Sequence, residues 1–116
     1  MKLHPVFVDY MPEKLERKTL YISIKFATTI HLCPCGCGNK VVAPLSPNYW
    51  SLTFNGRSVS LYPSIGNWSF PCKSHYWIRE NEVIWSRKYS RREINEVREE
   101  ERLGQGLYFK RNHGRD

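Results

Sequence analysis

Three of the chain's four cysteines fall within five residues, in His31-Leu32-Cys33-Pro34-Cys35-Gly36-Cys37-Gly38, and the fourth opens Cys72-Lys73-Ser74-His75. Thiols this close in sequence are poorly placed to bond to each other, because a disulfide requires Cα atoms about 4.4 to 6.8 Å apart with their Cβ atoms turned together. A thiolate-binding cation tolerates the crowding: Zn²⁺ takes Cys sulfur at about 2.3 Å and His nitrogen at about 2.0 to 2.1 Å in a tetrahedron. Gly36 and Gly38 then let the backbone wrap an ion, and Pro34 stiffens the turn between the first two sulfurs. Five residues compete for four positions, namely Cys33, Cys35, Cys37, Cys72 and His75, with His31 a more distant sixth. Four thiolates would give a closed structural site, whereas His75 with three thiols could leave a position open for water. Reduced thiols without metal and an iron-sulfur cluster are the alternatives, the latter with spacings tighter than usual.

Hydrolytic chemistry has a second source here. Ser64, Asn67, Ser74 and His75 lie in or beside Tyr62-Pro63-Ser64-Ile65-Gly66-Asn67-Trp68-Ser69-Phe70-Pro71, a stretch that reads as a loop leading into Cys72. In a zinc-dependent hydrolase they would position substrate around a metal-polarised carbonyl. In a metal-free variant Ser74 or Ser64 would be the nucleophile, although Ser74 and His75, adjacent on an extended chain, point to opposite faces. The chain has no HExxH helix and no acid/base carboxylate pair recognisable from spacing.

The elements that must carry these groups are mostly strands. Residues 1–17, with Pro5 and Pro12, form an irregular lead-in containing a short strand at Val6-Phe7-Val8. From Thr19, the apolar residues Leu20, Ile22, Ile24 and Phe26 alternate with Tyr21, Ser23 and Lys25, the period of a half-buried strand, which continues through Ile30 toward the cysteines. Lys40-Val41-Val42-Ala43 gives a short strand before Pro44. Trp50 to Phe54 alternates again, and Asn55-Gly56 supplies the φ > 0 pair of a two-residue hairpin, with Val59 and Leu61 on the return strand. A second hairpin joins Tyr76-Trp77-Ile78-Arg79 to Val83-Ile84-Trp85. Ser90-Arg91-Arg92-Glu93 fits a capping box, and a helix follows to Gly104 with only Ile94, Val97 and Leu103 as apolar positions. The expected fold is therefore mainly β: a zinc-stapled antiparallel sheet at 18–88, a peripheral helix at 89–104, and a flexible tail at 105–116 in which Leu107, Tyr108 and Phe109 could anchor to a partner.

Composition narrows the function. At 116 residues, 41% apolar, the chain forms one small domain for which a metal staple is useful. It has no apolar run of membrane-spanning length and no signal-peptide pattern at Met1-Lys2-Leu3-His4-Pro5, so a cytoplasmic protein with reduced thiols is expected. The net charge of +7 permits nucleic-acid binding, but nine basic and five acidic groups lie in residues 1–86 and nine and six in 87–116, a mixed surface rather than a basic stripe. The four tryptophans read as core and rim packing rather than base-stacking platforms.

The run Cys33-Pro34-Cys35-Gly36-Cys37-Gly38, then Pro44-Leu45-Ser46-Pro47 with Trp50 to Phe54, then Pro63-Ser64-Ile65-Gly66-Asn67 and Cys72-Lys73-Ser74-His75-Tyr76-Trp77-Ile78, resembles a family of short bacterial proteins classed as a domain of unknown function. Its members are often encoded beside ubiquitin-like proteins, activating (E1) and conjugating (E2) enzymes and a JAB-type peptidase, in operons associated with phage defence. The resemblance implies a role in a bacterial ubiquitin-like conjugation system. A zinc-binding accessory protein that recognises the ubiquitin-like protein or its conjugating enzyme makes the fewest demands on the residues. The alternatives are a zinc-dependent peptidase acting on the ubiquitin-like protein and a basic nucleic-acid module.

Overall fold

The computed structural model describes residues 1–113 apart from Lys88, with side chains through residue 103. The architecture is mainly β, two four-stranded sheets followed by one helix. The first sheet contains β1 (His4–Phe7), β2 (Thr19–Ser23), β3 (Thr28–Leu32) and β4 (Lys40–Pro44) in that spatial order. The second contains β5 (Ser51–Phe54), β6 (Val59–Gly66), β7 (His75–Arg79) and β8 (Glu82–Trp85), also in sequence order. All pairings are antiparallel except the edge pair β1 and β2, which are parallel.

One hydrophobic cluster draws Leu20, Ile22, Val41 and Ala43 from the first sheet and Val59, Leu61, Ile65, Tyr76 and Ile78 from the second. The two sheets therefore share a core, and β2 is buried along its whole length. Its core face is explained by alternation. Its other face is covered by the crossover from β1, where the Ser23 hydroxyl donates to the Asp9 carbonyl at 3.0 Å and the Tyr21 hydroxyl accepts from Glu16 N–H at 3.0 Å.

Three expectations change in detail. The alternating run from Leu20 to Ile30 is a hairpin, not one strand: it breaks after Ser23, whose hydroxyl accepts from Phe26 N–H at 3.2 Å, and Ala27 turns the chain at φ 48°. Ile24 and Phe26, apolar in the pattern, consequently stand exposed in the turn. At Asn55-Gly56 the loop has four residues, because the Asn55 side-chain oxygen accepts from the N–H groups of Arg57 and Ser58 at 2.9 and 2.8 Å and draws both into the turn. The two-residue turn with both φ values positive occurs instead at Glu80 (47°) and Asn81 (69°). Asn81 is held there by its side-chain oxygen, which accepts from Val59 N–H at 2.9 Å and ties the β7–β8 turn to β6.

The helix α1 (Arg91–His113) starts at the capping box, with Glu93 N–H donating to Ser90 Oγ at 3.2 Å and Ser90 N–H donating to the Glu93 carboxylate at 3.1 Å. Gly104 does not end it. Ile94 is its buried contact, and Arg98 reaches Ser69 Oγ at 3.0 Å. The side chains of Leu107, Tyr108 and Phe109 lie outside the described residues. No helix among the described residues is long and apolar enough to cross a membrane.

Candidate functional site

Strand β3 ends at Leu32 and β4 begins at Lys40, so the cysteine run is the connection between two paired strands. Cys33 N–H donates to the Asn39 carbonyl at 2.8 Å and Gly36 N–H to the Cys33 carbonyl at 3.1 Å, folding the run into a knuckle. Gly36 and Gly38 sit at φ 90° and 83°, where a side chain would be strained. The fourth sulfur arrives from the loop before β7. There Lys73 takes φ 46°, its N–H donates to the Phe70 carbonyl at 3.0 Å, and Asn67 N–H donates to the Ser74 carbonyl at 2.8 Å.

The sulfurs of Cys33, Cys35, Cys37 and Cys72 all lie within 4.8 Å of one another. Separations of 3.4 Å between Cys33 and Cys35, and 3.9 Å from Cys72 to both Cys33 and Cys37, bracket the roughly 3.8 Å between two sulfurs on one tetrahedral zinc. This donor set could hold a metal ion, and thiolate chemistry favours a soft or borderline one. Polar groups surround it. Ser74 Oγ donates to Cys72 Sγ at 3.1 Å and lies 3.5 Å from Cys33 Sγ, Asn39 Nδ2 donates to Cys37 Sγ at 3.3 Å, and Asn67 Nδ2 lies 3.8 Å from Cys33 Sγ. Without an ion the thiols are unequal. Burial pushes the Cys33 thiol up to about 12, while the Asn39 backbone N–H draws Cys37 down to about 7. Burial works to raise Cys72, but hydrogen bonds from Ser74, Cys35 and Cys33 together outweigh it and the net shift is downward.

The remaining candidates separate from this cluster. His31 is fully buried, its Nε2 2.7 Å from the Tyr76 hydroxyl, which also accepts from Asn67 Nδ2 at 3.3 Å. It is a core histidine linking the two sheets, and burial depresses its pKa to about 4. Asn67 braces Tyr76 and the Cys33 sulfur, and Ser74 faces the thiols. His75 is not part of the sulfur group. Its Nε2 lies 2.9 Å from Ser64 Oγ.

That hydroxyl–imidazole contact depends on an irregularity in β6. Gly66 pairs with His75 and Ile65 with Tyr76, but the register shifts between Leu61 and Ile65, across a segment with a cis peptide at Tyr62-Pro63. Ser64 therefore belongs to a strand, not to the loop expected from its Pro, Gly and Asn neighbours, and the bulge re-aims its side chain toward the next strand. His75 is buried, in edge contact with the rings of Trp68 (5.0 Å) and Tyr89 (4.6 Å), which stack on each other at 5.1 Å. The indole lies across Gly66, where a Cβ would come within 2.2 Å of it. Burial lowers the His75 pKa. The Arg87 backbone beside the ring partly offsets this, and the Arg87 charge adds to it. Nδ1 is buried with no well-formed hydrogen bond among the described residues. Nothing in the sequence marks Tyr89 or Asn39, which reach the site through chain connections rather than motifs.

The arrangement offers two chemistries at either end of one short segment: cation binding by four sulfurs before β7, and proton transfer between a hydroxyl and a neutral imidazole at its first residue. In comparisons with known proteins, no curated protein and no solved structure matches the chain. Residues 7–86, well over half of the 116, match one family model, described as bacterial ubiquitination-like system serine protease (BubE).

Proposed function

The chain belongs to the bacterial ubiquitination-like system serine protease (BubE) family, and from that membership we propose that it is a peptidase in which Ser64 is the nucleophile and His75 its general base. The observation that carries the reading is the 2.9 Å contact between Ser64 Oγ and His75 Nε2. A serine hydroxyl is a weak nucleophile until a base accepts its proton as it attacks. His75, buried and with its pKa lowered, is a neutral imidazole at pH 7 and can take that proton. Attack on a peptide carbonyl gives a tetrahedral intermediate; as the imidazolium passes its proton to the amine nitrogen the C–N bond breaks, the amine leaves and an acyl-enzyme remains. His75 then takes a proton from the water that attacks the ester and returns it to Ser64 Oγ as the acid leaves. Trp68 and Tyr89 fix the ring's orientation by packing. The Arg87 backbone beside the ring favours the imidazolium as it forms, and its charge opposes it.

In this reading Cys33, Cys35, Cys37 and Cys72 hold a structural zinc ion. Its chemistry is to lock the β3–β4 knuckle to the loop that launches β7, and with four thiolates it needs no place in the reaction. Zinc then supports catalysis only through the position of His75. The ubiquitin-like protein of the same system, as a precursor or conjugate, is the substrate this family membership favours.

The test is incubation of the chain with its neighbouring ubiquitin-like precursor, comparing wild type with Ser64→Ala and His75→Ala. Cleavage by wild type and by neither variant is expected. Cleavage that survives Ser64→Ala would overturn the assignment. A stable complex with no processing would instead favour an accessory role, in which the same surface recognises the ubiquitin-like protein or its conjugating enzyme.

A further inference from the structure

Side chains alternate along β7, so Tyr76 and Ile78 enter the core while His75, Trp77 and Arg79 share the opposite face. Trp77 pairs across the sheet with Ile84, which is 43% exposed, and its ring lies 6.0 Å from that of Tyr62, which is 67% exposed. The Arg79 guanidinium sits 4.8 Å above the Trp77 ring. No carboxylate among the described residues forms an ion pair with Arg79; Glu82, its partner across β8, has its carboxylate 3.9 Å from the Met1 amine. An apolar strip thus begins at the imidazole that faces Ser64 and ends at Arg79, beyond which Glu82 and, across the next bridge, Lys2 follow on the same face. Continuity with that site, and an edge of mixed charge rather than a row of cations, favour a polypeptide over a nucleic acid.

We infer that this face of β6, β7 and β8 is the substrate-binding surface, with Tyr62, Trp77 and Ile84 taking an apolar side chain of an extended peptide and Arg79 an acidic one. The inference rests on the Ser64–His75 reading for its orientation. Strand rise of about 3.3 Å per residue puts Trp77 about 7 Å and Arg79 about 13 Å from His75. An extended peptide lying along β7 has the same period, so its apolar and acidic residues are separated by one residue. Stacking under Arg79 holds the guanidinium in place and reduces the ordering cost of pairing it.

The experiment measures binding, which does not need the dyad. Fluorescein-labelled decapeptides with a central Leu-x-Glu, Leu-x-Lys or Ser-x-Glu are titrated with the Ser64→Ala chain and followed by anisotropy. The Leu-x-Glu peptide should bind about tenfold more tightly than Leu-x-Lys, one charge attracting and the other repelling. Arg79→Glu, a change at an exposed position, should reverse that order, and Trp77→Ala should remove the preference for Leu over Ser. Equal binding of the three peptides, or an order that Arg79→Glu leaves intact, would overturn the inference. So would displacement of the bound peptide by a single-stranded oligonucleotide. Failure of the precursor-cleavage assay alone would count against Ser64 and His75 while leaving the binding result to stand.

Discussion

The two ends of Cys72-Lys73-Ser74-His75 ask different things of their surroundings. At one end four like ligands converge, each with at least one other sulfur within 4 Å, and the neighbouring polar groups donate to them. At the other end two unlike groups meet once, and aromatic rings rather than hydrogen bonds enclose the imidazole. The first arrangement resists change because three of the four sulfurs have a polar side chain beside them as well as each other. The second leaves a hydroxyl poised on one base, which is what a nucleophile requires. A group of sulfurs able to hold a cation and a hydroxyl–imidazole pair can therefore be neighbours in sequence without being parts of one centre.

The largest expected effect breaks the comparison at the Ser64–His75 end, the one proposed to be catalytic. Ser64→Ala should lower kcat/KM for precursor cleavage by on the order of 10³-fold or more while leaving the thermal midpoint within a few degrees of wild type. An equal loss from Cys35→Ser in protein that remains folded and metal-loaded would place the thiols in the reaction after all. At the metal end, Cys72→Ser or exhaustive chelation should unfold the domain, because the ion's binding energy is part of its folding energy. Elemental analysis of wild type should find about one zinc per chain, and a folded, metal-free wild type would remove the staple from the account.

Smaller changes sharpen the boundary. Ser74→Ala removes the hydroxyl on Cys72 and should weaken metal affinity roughly 10- to 100-fold, as loss of outer-shell partners does, with kcat little changed once the metal is saturating. The pH profile of kcat/KM reports the other end. Burial lowers the His75 pKa, so the active base form should appear as pH rises through a value below 6.5 and remain through neutrality. A midpoint above 7 would mean that a different group titrates. Smallest is Ser90→Ala at the start of α1. It should cost about 1 kcal/mol of helix stability by circular dichroism and leave cleavage unchanged, since Ser90 caps the helix and touches neither Ser64 nor His75.

How much of this was legible in the sequence follows from the same contrast. Four cysteines, three in one tight run and the fourth beside a histidine, advertise themselves, because one residue type with one chemistry suffices, and the knuckle glycines agree with it. His75 was visible as a candidate, and Ser64 only as one of two possible partners. Ser64 and Ser74 are chemically identical in sequence, and which one meets the imidazole is decided by a register shift between Leu61 and Ile65 that carries no composition signal. The geometry then divides them, sending Ser74 to the sulfurs and Ser64 to the ring. His31 looked like a distant ligand only because burial and its Tyr76 partner are tertiary facts. The two sheets illustrate the limit of periodicity. Ile24 and Phe26 keep the strand's alternation yet stand exposed, because the Ser23 hydroxyl turns the chain before they can pair.

The central claim, that Ser64 is activated by His75 and not by the metal, has a direct measurement. Treat metal-loaded chain with a fluorophosphonate, which forms a stable adduct with activated serine hydroxyls, and map the modified residue by mass spectrometry. The account predicts a single adduct on Ser64 that is absent from His75→Ala protein with its metal still bound. An adduct on Ser74 or elsewhere, or equal labelling of wild type and His75→Ala, would contradict it.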